Sequence, residues 1–154
     1  MDSAALYQLA LRYLTQRAHS VFELKQKLLK KTQEAQLIQV VFEKLQDLEL
    51  LNDQRFAELY TAMRLRRGFG PLRIEQELKQ RGLSAENIFT ALALHAGQWT
   101  TRAKEVRSKK FGRQLPKNLL EKARQQRFLQ QRGFALDQIR KVWENECDDE
   151  SADE

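Results

Sequence analysis

Two clusters of basic side chains are the part of this sequence with the clearest capacity for chemistry. Lysine and arginine bind phosphate and carboxylate groups, and the planar guanidinium of arginine contacts two oxygens at once. The first cluster surrounds the segment 68–71 and consists of Arg64, Arg66, Arg67, Arg73, Lys79 and Arg81. The second begins shortly after residue 101 and consists of Arg102, Lys104, Arg107, Lys109, Lys110 and Arg113. We predict that these side chains contact an anionic partner; the alternative is that they only solvate the outer faces of helices.

The charge of the chain is unevenly distributed. The formal net charge is +6, yet residues 144–154 hold seven acids and no lysine or arginine. Residues 1–143 therefore carry 27 basic and 14 acidic groups, a net charge of +13. A body this basic attracts nucleic acid or a protein surface that carries it. We expect residues 147–154 to form a disordered acidic tail, which either aids solubility or folds back to compete for the basic face.

Other kinds of site find little support in the sequence. Cys147 has no second cysteine, His19 and His95 each stand alone, and no carboxylate pair has ligand spacing. A phosphate-cradling glycine motif is also missing. We therefore expect no catalytic residues, no metal and no cofactor. No apolar run has the length of a membrane span, and the N-terminal residues lack the pattern of a secretory signal, so we expect a cytoplasmic protein without membrane contact.

The sequence repeats with a period of about fifty residues. Leu78, Arg81, Gly82 and Ile88 recur as Leu129, Arg132, Gly133 and Ile139, with ten residues from leucine to isoleucine in both. Leu28 and Ile38 have the same spacing, although Thr32 stands where the other copies have glycine. This period leaves room for three helices in each copy.

Helix signals support that count. Residues 20–23 form a capping box, Asn52 and Ser84 are helix caps, and Gly68 is a helix end. One apolar stripe consists of Ile38, Val41, Phe42, Leu45 and Leu48. We predict an all-α protein of three tandem three-helix repeats at 1–51, 52–97 and 98–146. Because each repeat is too small to bury its helices alone, we expect an elongated, curved stack.

Aromatic residues fall into two groups by position. Phe69, Phe111 and Trp99 lie near the basic clusters, where they either stack on bases or fill gaps between repeats. Helical spacing assigns Phe56, Phe128 and Trp143 to the core.

The central repeat resembles the signature of the RecX family. The resemblance rests on the segments 52–57, 67–71, 77–78 and 81–83 together with Ile74, and it extends through 110–112 and 128–134 to the third repeat and through 20–24 to the first. It implies a fold of three three-helix repeats. It also implies a regulator, and not an enzyme, that binds along the groove of the RecA filament on single-stranded DNA, bridges protomers and limits filament growth. ATP hydrolysis, strand exchange and co-protease activity would thereby be inhibited. We expect a monomer that binds double-stranded DNA weakly and without sequence preference.

Two other classes of function remain open from the sequence. A general helical DNA-binding protein or transcriptional repressor would use helices joined at glycine turns, and a repressor would bind specific duplex sequences tightly. A nucleic-acid enzyme would need clustered carboxylates or a base-extruding pocket, whereas the acids here are scattered or lie in the tail.

Overall fold

The structure is a computed structural model that describes the backbone of residues 1–152 and the side chains of residues 1–144. Its secondary structure over these residues consists of helices without strands, as predicted. The helices are α1 Ser3–Gln16, α2 Val21–Leu29, α3 Ala35–Asp47, α4 Asp53–Arg66, α5 Pro71–Gln80, α6 Ala85–Ala93, α7 Trp99–Phe111, α8 Leu119–Arg132 and α9 Leu136–Ala152. None of these helices is long and apolar enough to cross a membrane. The prediction of a disordered acidic tail at 147–154 falls on residues whose side chains lie outside the described part of the chain, and it stays a prediction.

The predicted helix starts are confirmed by their hydrogen bonds. The Ser20 side chain accepts from the Glu23 amide while the Glu23 carboxylate accepts from the Ser20 amide, which completes the capping box of α2. The Asn52 side chain accepts from the amide of Arg55, and the Ser84 hydroxyl accepts from the amide of Asn87. These caps satisfy amides that the first helical turn leaves without partners.

Glycine ends the second helix of the two similar repeats. Gly82 follows α5 with a φ of +80°, and Gly133 follows α8 with a φ of +102°. Both positions are also crowded, because a Cβ on Gly82 would lie 2.3 Å from Phe22 and one on Gly133 would lie 2.4 Å from Arg73. The Leu-x-x-Arg-Gly motif therefore combines a left-handed turn with a close approach of another helix.

The first compact unit consists of Met1–Leu59 and Leu78–Ala91. Here α1 packs against α2 and α3, and all three helices bury apolar side chains. The buried cluster is Leu6, Ala10, Leu24, Leu28, Ile38, Val41, Phe42, Leu45 and Leu51. The predicted stripe of α3 is thus confirmed except for Leu48, which caps the helix and is 55% exposed.

The second compact unit consists of Tyr60–Glu77 and Leu92–Glu154, and in it α7 packs against α8 and α9. Its buried side chains include Trp99, Leu129, Phe134 and Ile139. The prediction that Phe128 and Trp143 belong to the core was wrong, because both are only half-buried and have cations over their rings. In the first unit, Phe56 is buried as predicted.

Candidate polyanion-binding groove

A groove in the second compact unit brings part of both basic clusters together. Its volume is about 460 Å³, and we call it the basic groove. The cations that line it are Arg66, Arg67, Arg102, Lys109, Lys110 and Arg132. Glu105 is the one acidic residue in its lining, so the lining carries a net charge of +5. Apolar atoms of Leu65, Val106 and Phe128 complete the wall.

Three elements position these cations. The end of α4 contributes Arg66 and Arg67, and the end of α8 contributes Arg132. Along α7, Arg102, Lys109 and Lys110 are separated by seven and eight residues, a spacing that returns to the same helical face after two turns. Arg102 is held by Glu105, whose carboxylate lies 3.1 Å from its guanidinium.

The turn after α4 needs glycine to lie against α7. Gly68 has a φ of +90°, and a Cβ at this position would lie 3.0 Å from the Val106 side chain. A side chain here would strain the turn, and the Val106 side chain would have to shift to make room for it.

Arg132 is a groove residue that the sequence prediction left out. Its guanidinium donates to the Arg67 carbonyl at 3.4 Å and lies 4.7 Å from the Phe69 ring centre and 5.4 Å from the Phe128 ring centre. These contacts hold the charge at the mouth of the groove. Its position in the Leu-x-x-Arg-Gly motif, equivalent to that of Arg81, was the available signal.

Aromatic rings near the groove are covered by cations of the chain itself. Three guanidiniums surround Phe69, those of Arg64, Arg73 and Arg132, at 3.8, 4.4 and 4.7 Å from its centre. Phe128 has Arg132 and Lys110 over its ring and the edge of Phe111 against it. Trp99 is 8% exposed. These contacts favour the interpretation in which the aromatic rings fill gaps in the protein over the one in which they stack on bases.

Two arginines of the first cluster are engaged by a carboxylate. Arg64 donates to both oxygens of Glu77 at 2.9 and 2.8 Å, Tyr60 donates to Oε1 at 3.0 Å, and Arg73 lies 3.5 Å away. Burial would raise the pKa of Glu77, but the hydrogen bonds from Arg64 and Tyr60 and the nearby arginine charges outweigh it and lower the pKa. Arg64 and Arg73 therefore stabilise the turn, whereas Arg66 and Arg67 are exposed and line the groove.

Arg81 and Lys79 lie outside the groove lining, in the first unit. Arg81 contacts Glu23 at 2.7 Å, and its carbonyl accepts the Ser20 hydroxyl at 2.6 Å, so this arginine joins α5 to the start of α2. Burial would raise the pKa of Glu23, but hydrogen bonds from Arg17 and the Ser20 amide and the charges of Arg17 and Arg81 lower it. Lys79 is exposed on α5.

Arg107 was predicted to contact a partner, but the structure buries it. It is 3% exposed, and its guanidinium donates to the carbonyls of Gln114 and Arg113 and to the Gln125 side chain. Two backbone carbonyls and the side-chain carbonyl of Gln125 accept the hydrogen bonds of this buried charge. Arg107 therefore fixes the loop after α7, whereas Lys110 of the same cluster lines the groove. Lys104 and Arg113 lie outside the groove lining.

The side chains of the basic groove are arranged in a way that suits the binding of anions. Among the described side chains, no group of three or more His, Cys, Asp or Glu residues is placed to hold a metal ion. The lining of the basic groove combines hydrogen-bond donors of fixed positive charge with a single exposed carboxylate, which suits an anionic ligand.

Fold and groove together define an all-helical repeat protein with a strongly basic surface groove. Three family models match the chain in order: the first three-helix domain of RecX at residues 7–45, the second at 52–92 and the third at 98–143. The chain belongs to the RecX family.

Curated relatives agree with the family models. Regulatory protein RecX of Halorhodospira halophila is 41% identical over 138 residues, which cover 90% of this chain and 86% of the relative. Regulatory protein RecX of Pseudomonas syringae pv. tomato is 37% identical over 135 residues, which cover 88% and 87%.

The fold agrees with a solved structure as well. The crystal structure of RecX from Lactobacillus salivarius superimposes with a TM-score of 0.82 at 22% identity, covering 94% of this chain and 96% of that one. At this identity the likeness concerns the fold alone. The predicted class of three three-helix repeats is confirmed.

Proposed function

We propose that this chain binds the RecA nucleoprotein filament and inhibits its extension, ATP hydrolysis, strand exchange and co-protease activity. Membership of the RecX family supports RecA as the partner. The observation that carries the site is the basic groove, where six cations from three elements surround a single acid. A filament of protein on single-stranded DNA offers the phosphates and carboxylates that such a groove binds.

The organisation of the chain fits this role. We propose repeats at 1–51, 52–97 and 98–146, and the family matches support three such segments. The protein acts in the cytoplasm as a monomer, without catalysis or cofactor, and binds double-stranded DNA weakly. A sequence-specific repressor is less well supported, because it does not explain why basic residues are spread along three repeats of the chain.

The test is RecA's ATP hydrolysis on single-stranded DNA, with this protein titrated well below the RecA concentration. Inhibition at such ratios indicates filament control, because competition for DNA alone requires far more protein. The groove variants are Lys109→Gln/Lys110→Gln and Arg66→Gln/Arg67→Gln. Each removes two exposed charges, and we expect each to raise the half-inhibitory concentration by at least about tenfold.

The matched control is Lys30→Gln/Lys31→Gln, which removes two exposed charges from the first unit. We expect it to inhibit like the unaltered chain. Groove variants that also inhibit like the unaltered chain would contradict the assignment of the groove. A chain that fails to inhibit at any ratio, with DNA binding intact, would contradict the proposed function itself and leave a basic helical DNA-binding protein.

A further inference from the structure

The basic groove has the size of a small-molecule site. Ligand pockets in proteins occupy about 300–1,000 Å³, and this groove measures about 460 Å³. Its cations converge on one space from α4, α7 and α8. Such convergence suits a compact ligand with several charges, in addition to an extended polymer.

The positive charge of the groove favours compact anions that carry several negative charges. A terminal phosphate carries about −1.5 to −2 charge with three acceptor oxygens, whereas each linkage of a nucleic-acid strand carries one negative charge. A linear polyphosphate therefore concentrates more charge in this volume than a short piece of strand does. Four of the six cations are arginines, whose guanidinium forks match phosphate oxygens.

The aromatic ring that lines the groove is already engaged by other side chains of the chain. Phe128 lines the groove, but Lys110 and Arg132 lie over its ring at 5.8 and 5.4 Å and Phe111 meets it edge-on. Phe69 is surrounded by three guanidiniums. The phosphate chain is thus the part of a nucleotide that the groove can recognise.

We propose that the basic groove binds linear polyphosphate, as carried by nucleoside triphosphates, through the phosphate chain and without contribution from the base. This inference rests on the same groove as the proposed function. A bound polyphosphate would occupy the cations that contact the filament, so free nucleotide would compete with filament binding and set how strongly the protein inhibits.

Isothermal titration calorimetry of the full chain, with a chelator and without RecA or DNA, tests the proposal. The probes are inorganic triphosphate, ATP, adenosine and inorganic phosphate. We expect triphosphate and ATP to bind within about tenfold of each other, and adenosine and inorganic phosphate to bind at least about tenfold more weakly than triphosphate. Lys109→Gln/Lys110→Gln should weaken triphosphate binding by at least about tenfold, and Lys30→Gln/Lys31→Gln should weaken it less. Circular dichroism establishes that each variant is folded.

Three results would overturn the inference. They are no binding of triphosphate, ATP binding more than about tenfold tighter than triphosphate, or a groove variant that binds like the control. The experiments distinguish failure of the polyphosphate inference from failure of the proposed function. If the groove variants lose filament inhibition while the unaltered chain does not bind triphosphate, the polyphosphate inference fails and the proposed function stands. If the groove variants lose triphosphate binding but inhibit normally, the groove is a polyphosphate site and the filament contact lies elsewhere.

Discussion

Replacing Glu77 by glutamine tests whether Arg64 stabilises the fold or is available to a partner. The carboxylate receives two hydrogen bonds from Arg64 and one from Tyr60. The side chains of Arg64 and Glu77 are 14% and 20% exposed. We therefore consider a double-mutant cycle of Glu77→Gln, Arg64→Gln and both together, which isolates the interaction of the two side chains.

The magnitude follows from this burial. Exposed ion pairs contribute about 0–1 kcal/mol, and hydrogen bonds to charged groups contribute about 1.5–3 kcal/mol. The pair is mostly shielded and bidentate, so we expect a coupling free energy of about 2 kcal/mol. Because the pKa of Glu77 is lowered in the folded state, its contribution is fully present above the ordinary glutamate value of 4.5 and is lost as pH falls through the folded-state pKa. The coupling should therefore be complete at neutral pH and shrink below pH 4.5.

Urea denaturation followed by tryptophan fluorescence measures the cycle. Both tryptophans of the sequence, Trp99 and Trp143, lie in the second compact unit, to which Glu77 also belongs. The signal therefore reports the unit that the substitution affects. A coupling below about 0.5 kcal/mol at neutral pH would match an exposed pair. It would refute the assignment and return Arg64 to the candidate contact residues.

Two further substitutions test single positions in the second unit. Gly133→Ala places a Cβ 2.4 Å from Arg73 at a φ of +102°, whereas Gly97 has a φ of +87° and no atom within 4 Å of a Cβ. We expect Gly133→Ala to lower the free energy of unfolding by at least about 1 kcal/mol more than Gly97→Ala, measured by denaturation; equal losses would contradict the close approach. Arg107→Gln should cost about 2 kcal/mol and speed amide exchange over residues 112–115, because the loop loses the guanidinium that donates to its carbonyls; unchanged exchange would argue against that role.

Local signals in the sequence were sufficient to predict the helices. The capping box at residues 20–23 and the caps at Asn52 and Ser84 act over three residues, and the glycines after α4, α5 and α8 act on one backbone torsion. Such features depend on near neighbours in the chain, so the pattern of residues predicts them. Leu48 fits the same helical period but lies at the end of α3, where the core no longer covers it.

The roles of the arginines could not be predicted in this way. Arg64 and its carboxylate are separated by thirteen residues, and Arg107 and Gln125 by eighteen. Which arginine becomes buried depends on acceptors that the fold brings to it, and charge spacing along a helix does not contain that information. Arg132 belongs to neither of the predicted clusters. Its contacts with Phe69 and Phe128 nevertheless place it at the groove.

The residues of the two compact units alternate along the sequence, and this affects the order in which the units can fold during translation. Residues 60–77 belong to the second unit, yet they are translated before residues 78–91, which complete the first. Domains generally fold as they leave the ribosome, at about 5–20 residues per second. A ribosome that pauses before residue 78 therefore holds a chain in which neither unit is complete, and the first unit can fold only after residue 91 has left the ribosome. The basic groove forms last, because Arg132 must be translated before its lining is complete.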